Sequence, residues 1–89
     1  MGVRKMVKLL ILGEMLEGKE PFVGDYEGED GLEKGEFNKL IAEMQDKDRF
    51  IEGVVFAKSS KELLVAFFSS ARVTPRGESY YETEILKIK

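Results

Sequence analysis

The stretch that decides the fold is VTPRGESYYE, residues Val73 to Glu82. It is typical of a β-strand that ends and runs directly into a capped helix. Thr74 can accept a hydrogen bond from a free N–H of the first helical turn, and Pro75 suits the first helical position because its missing N–H costs nothing there. Gly77 is unexpected, since glycine within a helix costs roughly 1 kcal/mol relative to alanine. Because it shares a helix face with Tyr81, we expect another element to approach the helix closely at Gly77.

Three helical segments are predicted before this stretch. Apolar residues at i, i+3, i+4 spacing cover Val3 to about Glu17 and, more clearly, Glu33 to about Asp48. Between them, Gly24 to Leu32 is rich in glycine and acids, so it predicts at most one or two helical turns, held by Tyr26 and Leu32. The residues expected to face the core are Val3, Val7, Leu10 and Ile11 in the first helix, and Phe37, Leu40, Ile41 and Met44 in the third.

Two strands are predicted next, over Phe50 to Ala57 and over Leu63 to Phe68, joined by a polar turn at 58–61. The second strand, LLVAFF, is apolar on both faces, because alternation directs residues 63, 65 and 67 to one side and residues 64, 66 and 68 to the other. One side can cover the helices, whereas the other needs the C-terminal helix or a partner. We therefore expect a symmetric dimer, with candidate interface residues Leu64, Phe68, Tyr80 and Leu86.

The order of these elements is helix, short helix, helix, strand, strand, helix, which is the order of a winged helix-turn-helix. The predicted fold class is α+β, with three N-terminal helical segments, a two-stranded antiparallel wing and a C-terminal helix. The chain has 89 residues, a length suited to one domain, so residues 1–89 are interpreted as a single winged-helix domain.

Four stretches carry a family resemblance in their order and spacing. They are ILGEMLEGKEP at Ile11–Pro21, the pair Asp25-Tyr26, the strand Gly53–Ala57, and VTPRGESYY at Val73–Tyr81. With these stretches the chain resembles the YjcQ family of small winged-helix proteins from bacteria and their phages. The resemblance implies the winged-helix fold and a bacterial or prophage setting, and it brings no catalytic residue and no ligand.

The chain contains neither histidine nor cysteine. The usual zinc, copper and non-haem iron ligand sets and the Ser-His and Cys-His nucleophile pairs therefore cannot be built. The acids Asp25, Glu27, Glu29 and Glu36 have the spacing of a calcium loop, but Asp30 stands where that loop requires glycine. We expect a protein that is not an enzyme and that uses no metal and no cofactor.

The apolar run from Leu9 to Leu12 is too short to cross a bilayer, which needs about 20 apolar residues. Lys8 and Glu14 interrupt the apolar part of a signal peptide, and no small-residue cleavage site follows. A cytoplasmic location without a membrane partner is expected.

Two functions remain open. Winged helices often bind DNA, yet the segment from Glu14 to Glu36 holds nine acids and two bases, which phosphates would repel, while Arg49 to Arg76 holds five bases and two acids. The candidate nucleic-acid-binding residues are Asn38, Lys39, Arg49, Lys58, Lys61, Arg72 and Arg76, with Asn38 placed to pair with adenine. The alternative is a protein-interaction or dimerisation module that binds no nucleic acid.

Overall fold

The computed structural model of the protein describes residues 2–29, 31–58 and 64–88. Over these residues the fold is α+β, and the helices and the antiparallel hairpin follow one another as predicted. The helices are α1 (Val3–Leu16), α2 (Glu36–Asp46) and α3 (Pro75–Ile88), with a short 3₁₀ helix at Val23–Asp25 between α1 and α2. The strands are β1 (Ile51–Glu52), β2 (Val55–Lys58), β3 (Leu64–Phe67) and β4 (Arg72–Val73).

The strands form two antiparallel pairs, because the strand predicted over Phe50 to Ala57 is interrupted at Gly53. Gly53 has a φ of +85°, and a β-carbon there would overlap the carbonyl oxygen of Ser70. The side-chain amide of Gln45 donates to the carbonyl oxygen of Val54 and accepts from its N–H, at 3.0 and 2.8 Å, which satisfies the backbone beside the break. As a result β1 pairs with β4, while β2 pairs with β3 as the predicted hairpin.

The start of α3 is fastened to the segment between α2 and β1. The N–H of Gly77 donates to Oγ1 of Thr74 at 3.0 Å, so Thr74 caps the helix as predicted. The same hydroxyl donates to the carbonyl oxygen of Arg49 at 2.6 Å. A β-carbon at residue 77 would overlap the carbonyl oxygen of Phe50, so the predicted close approach at Gly77 is confirmed.

The core lies between α1, α2 and β1. The four predicted residues of α2 are buried, and so are Val7 and Ile11 of α1. The prediction for Leu10 was wrong, since this side chain is 53% exposed, and Val3 is also exposed. Helix α1 packs against both α2 and α3. Leu9 and Leu12 are therefore buried, and Leu10 lies on the outer side of the helix.

The glycine-rich segment before α2 is anchored to the core at Tyr26 and Leu32, as predicted. Tyr26 and Leu32 are buried, and the ring of Tyr26 stacks on that of Phe37 with centroids 5.8 Å apart. The carboxylate of Glu27 accepts hydrogen bonds from the N–H groups of Gly35, at 3.1 Å, and Phe37, at 3.0 Å. Glu27 thus caps α2 from outside the helix, because Gly35 at the N-cap position has no side chain to do so.

Candidate functional site

The hairpin of β2 and β3 has an apolar outer face. Val55 lies opposite Phe67, and Ala57 lies opposite Val65. Opposed residues of an antiparallel pair share one side of the sheet, and residues two apart along a strand share it too. All four side chains are exposed, with Val55 at 59%, Phe67 at 49% and Val65 at 42%. Solvent therefore reaches a continuous apolar surface on this side of the hairpin.

The inner face of the same hairpin packs against the core. Phe56 and Ala66 lie opposite each other there, and the ring of Phe68 is 6.4 Å from that of Phe37. Helix α3 packs mainly against α1 and β4 instead. Among the residues described, the exposed apolar side of the hairpin is thus the one that carries Val65 and Phe67.

The candidate interface residues occupy different environments. Phe68 is partly buried against the core, and Tyr80 is partly buried against Phe50, with ring centroids 4.3 Å apart. Leu86 on α3 is 75% exposed. The side chain of Leu64 lies outside the part of the chain that the structure describes. A partner that bound Phe68 or Tyr80 would have to compete with the core for them, whereas Leu86 is open to solvent.

A groove of about 580 Å³ adjoins the outer face of the hairpin, between β3 and the start of α2. Its apolar lining includes the exposed ring of Phe22 together with Val65 and Phe68, and its charged lining includes both acids and lysines. Because Val65 belongs to the groove and to the outer face, the two join into one surface. We call this the hairpin surface, and its residues are Phe22, Val55, Ala57, Val65 and Phe67.

Two of the residues predicted to bind nucleic acid lie near the start of α2. Asn38 and Lys39 both line the groove beside the hairpin, and Lys39 forms an ion pair with Glu36 at 3.5 Å. Lys61 lies outside the described residues, and the structure describes only the backbone of Lys58. Asn38 and Lys39 therefore lie at the margin of the hairpin surface, where a protein partner could contact them as readily as DNA could.

The three predicted arginines lie elsewhere. Arg49 follows α2 in a left-handed conformation with φ of 59°, and Nε of Arg76 donates to the carbonyl oxygen of Asp48 at 2.9 Å. Arg72 on β4 forms an ion pair with Glu52 on β1. Since the helix rises about 1.5 Å per residue, the end of α2 is on the order of 10 Å from Lys39. The predicted cations thus fall into separate groups.

A cluster of charges joins α1 to α2. Arg4 pairs with Glu36 at 3.0 Å and Glu43 at 3.4 Å, while Lys8 pairs with Glu43 at 2.6 Å and Asp48 at 2.7 Å. Sequence reasoning counted Glu36 among the acids that repel phosphate, and it missed that Arg4 and Lys8, which lie more than 30 residues earlier in the chain, pair with these acids. The surface of α2 is accordingly less acidic than its sequence alone indicates.

The pKa values of Lys8 and Glu43 are shifted within this cluster. Burial by itself would lower the pKa of Lys8, but hydrogen bonds from its ammonium to Asp48 and Glu43 outweigh burial and raise that pKa above its ordinary 10.5. The hydrogen bond from Lys8 lowers the pKa of Glu43 below its ordinary 4.5. Both shifts favour the charged forms, so the cluster stabilises the contact between α1 and α2 near neutral pH.

Comparison with protein-family models, curated proteins and solved structures returns no match for this chain. Within the described residues, no three or more acids come together in a way that could hold a metal ion. None of the described helices is long and apolar enough to cross a membrane. The function is therefore inferred from the surfaces themselves.

Proposed function

We propose that this chain is a non-enzymatic winged-helix module, similar to the YjcQ family of bacteria and phages, that binds protein through the hairpin surface. In this proposal α2 corresponds to the recognition helix and the hairpin to the wing, which agrees with the order of the elements. The partner that the surface favours most is a second copy of the chain, which gives a symmetric dimer.

The observation that carries this proposal is the composition of the outer face. Its described residues, Val55, Ala57, Val65 and Phe67, are all apolar and all exposed. Removing apolar surface from water contributes roughly 25 cal/mol per Å² to the free energy of binding. The same surface has no charge or hydrogen-bond donor that could bind a phosphate. A face of this kind is typical of a protein interface.

A second copy suits the face because the face is self-complementary. A two-fold axis through the hairpin would lay the Val55–Phe67 pair of one copy on the Ala57–Val65 pair of the other, and none of these four side chains is charged. Four residues alone fall short of the roughly 800 Å² per partner that a stable interface buries. The adjoining groove supplies further apolar area through Phe22.

The oligomeric state tests this function directly. Sedimentation at tens of micromolar should show a dimer of the unmodified chain, and Phe67→Gln should dissociate it because the amide would have to be desolvated in the interface. A monomer at that concentration would refute self-association through this surface.

Nucleic-acid binding is the second candidate function, and the α1–α2 charge cluster favours it. Arg4 and Lys8 balance two of the three negative charges of Glu36, Glu43 and Asp48, which reduces the repulsion expected between α2 and a phosphate backbone. A salt titration of binding to random duplex DNA tests this candidate.

A further inference from the structure

A second apolar groove lies between α1 and α3, and it shares no residue with the hairpin surface. It has a volume of about 400 Å³. Met6 and Leu10, both about half exposed, line it from α1, and Tyr81 and Ile85 line it from α3. Leu9 and Gly13 complete the apolar lining. We call this the α1–α3 groove.

The packing of the two helices forms this groove. A β-carbon at Gly13 would come within 3.0 Å of Oη of Tyr81, so the glycine lets the tyrosine ring lie directly against α1. Lys5 of α1 pairs with the largely buried carboxylate of Glu84 on α3 at 3.2 Å. These contacts hold the helices together while Met6 and Leu10 stay open to solvent.

Acids border the α1–α3 groove. Glu14 and Glu17 are part of its lining, which includes no lysine or arginine among the residues that the structure describes. On α3, the exposed Glu78 and Glu82 precede Tyr81 and Ile85 by three residues, which places them on the neighbouring side of that helix. The last turn of α1 carries no basic residue, so its dipole adds further negative potential beside Glu14 and Glu17.

These acids have little internal compensation. Among the described residues, neither Glu14 nor Glu78 nor Glu82 has an ion-pair partner. Glu17 pairs with Lys19 at 3.3 Å, but both side chains are about two thirds exposed, and such pairs contribute little. The acids that border the groove can therefore pair with cations of another molecule.

We propose that the α1–α3 groove binds a basic amphipathic helix of a partner protein. Apolar side chains spaced i, i+3 or i+4, and i+7 along that helix would enter the groove between Leu10 and Ile85. Lysine or arginine residues beside them would pair with Glu14 and Glu17. The groove holds side chains rather than a whole helix, so the helix would lie along it with one face inserted.

The charge also selects among classes of partner. Anionic lipid and nucleic acid would be repelled by the same acids. A second copy of the chain would bring no free cation from its own α1, because all three cations of that helix are already paired. Their partners are Glu36 for Arg4, Glu84 for Lys5 and Asp48 for Lys8. A cationic helix from another protein is the occupant that satisfies both the apolar lining and the acidic border.

The test uses two short synthetic helical peptides with the same leucines at i, i+3 and i+7, one flanked by lysines and the other by glutamates. Fluorescence anisotropy with the full chain should show the lysine peptide binding at least about tenfold more tightly. Leu10→Gln should weaken that binding about tenfold, while the matched change Leu86→Gln, outside the groove, should leave it unchanged. The double variant Glu14→Gln/Glu17→Gln should weaken binding and flatten its salt dependence, and Glu29→Gln/Glu33→Gln should do neither.

Equal binding of the two peptides, or full binding by Leu10→Gln, would overturn the proposal. So would a dimer that Leu10→Gln converts to monomer, because a second copy would then occupy the groove. The result is separable from the proposed self-association, since Phe67→Gln should retain peptide binding whatever its oligomeric state.

Discussion

The α-carbon of Gly77 lies against the carbonyl oxygen of Phe50, so closely that a β-carbon would overlap that oxygen. The same oxygen accepts a hydrogen bond from the N–H of Thr74 at 2.9 Å. One carbonyl group thus fixes both the start of α3 and its distance from β1. Because α3 forms one wall of the α1–α3 groove, this contact also sets the position of that wall.

Gly77→Ala should destabilise the protein, by about 1–3 kcal/mol, although alanine is the better helix former. The reason is that neither the backbone of Phe50 nor that of α3 can move without losing the cap at Thr74. Urea unfolding measures the effect, with Ser79→Ala on the exposed side of the same helix as the control. A stabilising Gly77→Ala would show that close packing is not the reason for glycine at this position.

Glu27→Ala should lower the free energy of unfolding by about 1 kcal/mol, as is usual when an N-terminal cap is lost. The reason is that the N–H groups of Gly35 and Phe37 would lose their hydrogen-bond acceptor. Glu29→Ala, an exposed acid two residues later, is the matched control and should change the free energy of unfolding little. Equal effects of the two substitutions in urea unfolding would contradict the capping role.

The charge cluster predicts how stability depends on pH. The pKa of Glu43 is lowered in the folded state, so its contribution is present above the unfolded value of about 4.5 and is lost as pH falls through the folded value. The pKa of Lys8 is raised, so its contribution is complete below about 10.5 and is lost as pH rises through the folded value.

Glu43→Gln should therefore lower the free energy of unfolding at pH 7, by about 1 kcal/mol or less, and the difference from the unmodified chain should shrink in acid. Unfolding in urea at a series of pH values measures this, with the exposed Glu82→Gln as the control. A difference that stays constant down to pH values well below 4 would rule out the proposed origin of the Glu43 shift.

Self-association should depend on the hairpin rather than on α3. Phe67→Gln should convert the dimer to monomer, and Phe22→Ser should weaken it, because both side chains belong to the hairpin surface. Leu86→Gln replaces the most exposed of the large apolar side chains described and should leave the dimer intact. Sedimentation of the three variants separates the alternatives, since dissociation by Leu86→Gln alone would move the interface to α3.

Nucleic-acid binding, the second candidate function, predicts how affinity depends on salt concentration. If the chain binds DNA, Lys58→Ala/Lys61→Ala should weaken binding to every sequence alike and reduce the slope of log K against log salt by about 2, one phosphate contact for each lysine. Lys19→Ala, an exposed cation next to Glu17, is the control. Failure to bind random duplex at low salt would exclude this function, because the electrostatic attraction is strongest there.

Local sequence patterns were sufficient for much of the fold. The cap at Thr74, the close approach at Gly77, the anchors Tyr26 and Leu32, and the hairpin were all predicted from neighbouring residues. The cap depends on a hydrogen bond within one turn and the hairpin depends on the period of a strand, both of which a contiguous stretch of sequence contains. Gly77 was recognised by its unfavourable place within a helix, although the residue that approaches it, Phe50, is distant along the chain.

The surfaces that matter for function were decided by tertiary structure. Periodicity placed Leu10 in the core, but the packing of α3 on α1 buried Leu9 and left Leu10 outside. Alternation separated the two sides of LLVAFF, yet only the packing of Phe68 near Phe37 determined that Val65 and Phe67 face solvent. The hydrophobic period of a helix or strand shows which residues share a face. The element that covers this face comes from a distant part of the chain, and the sequence by itself does not specify how the two elements pack together.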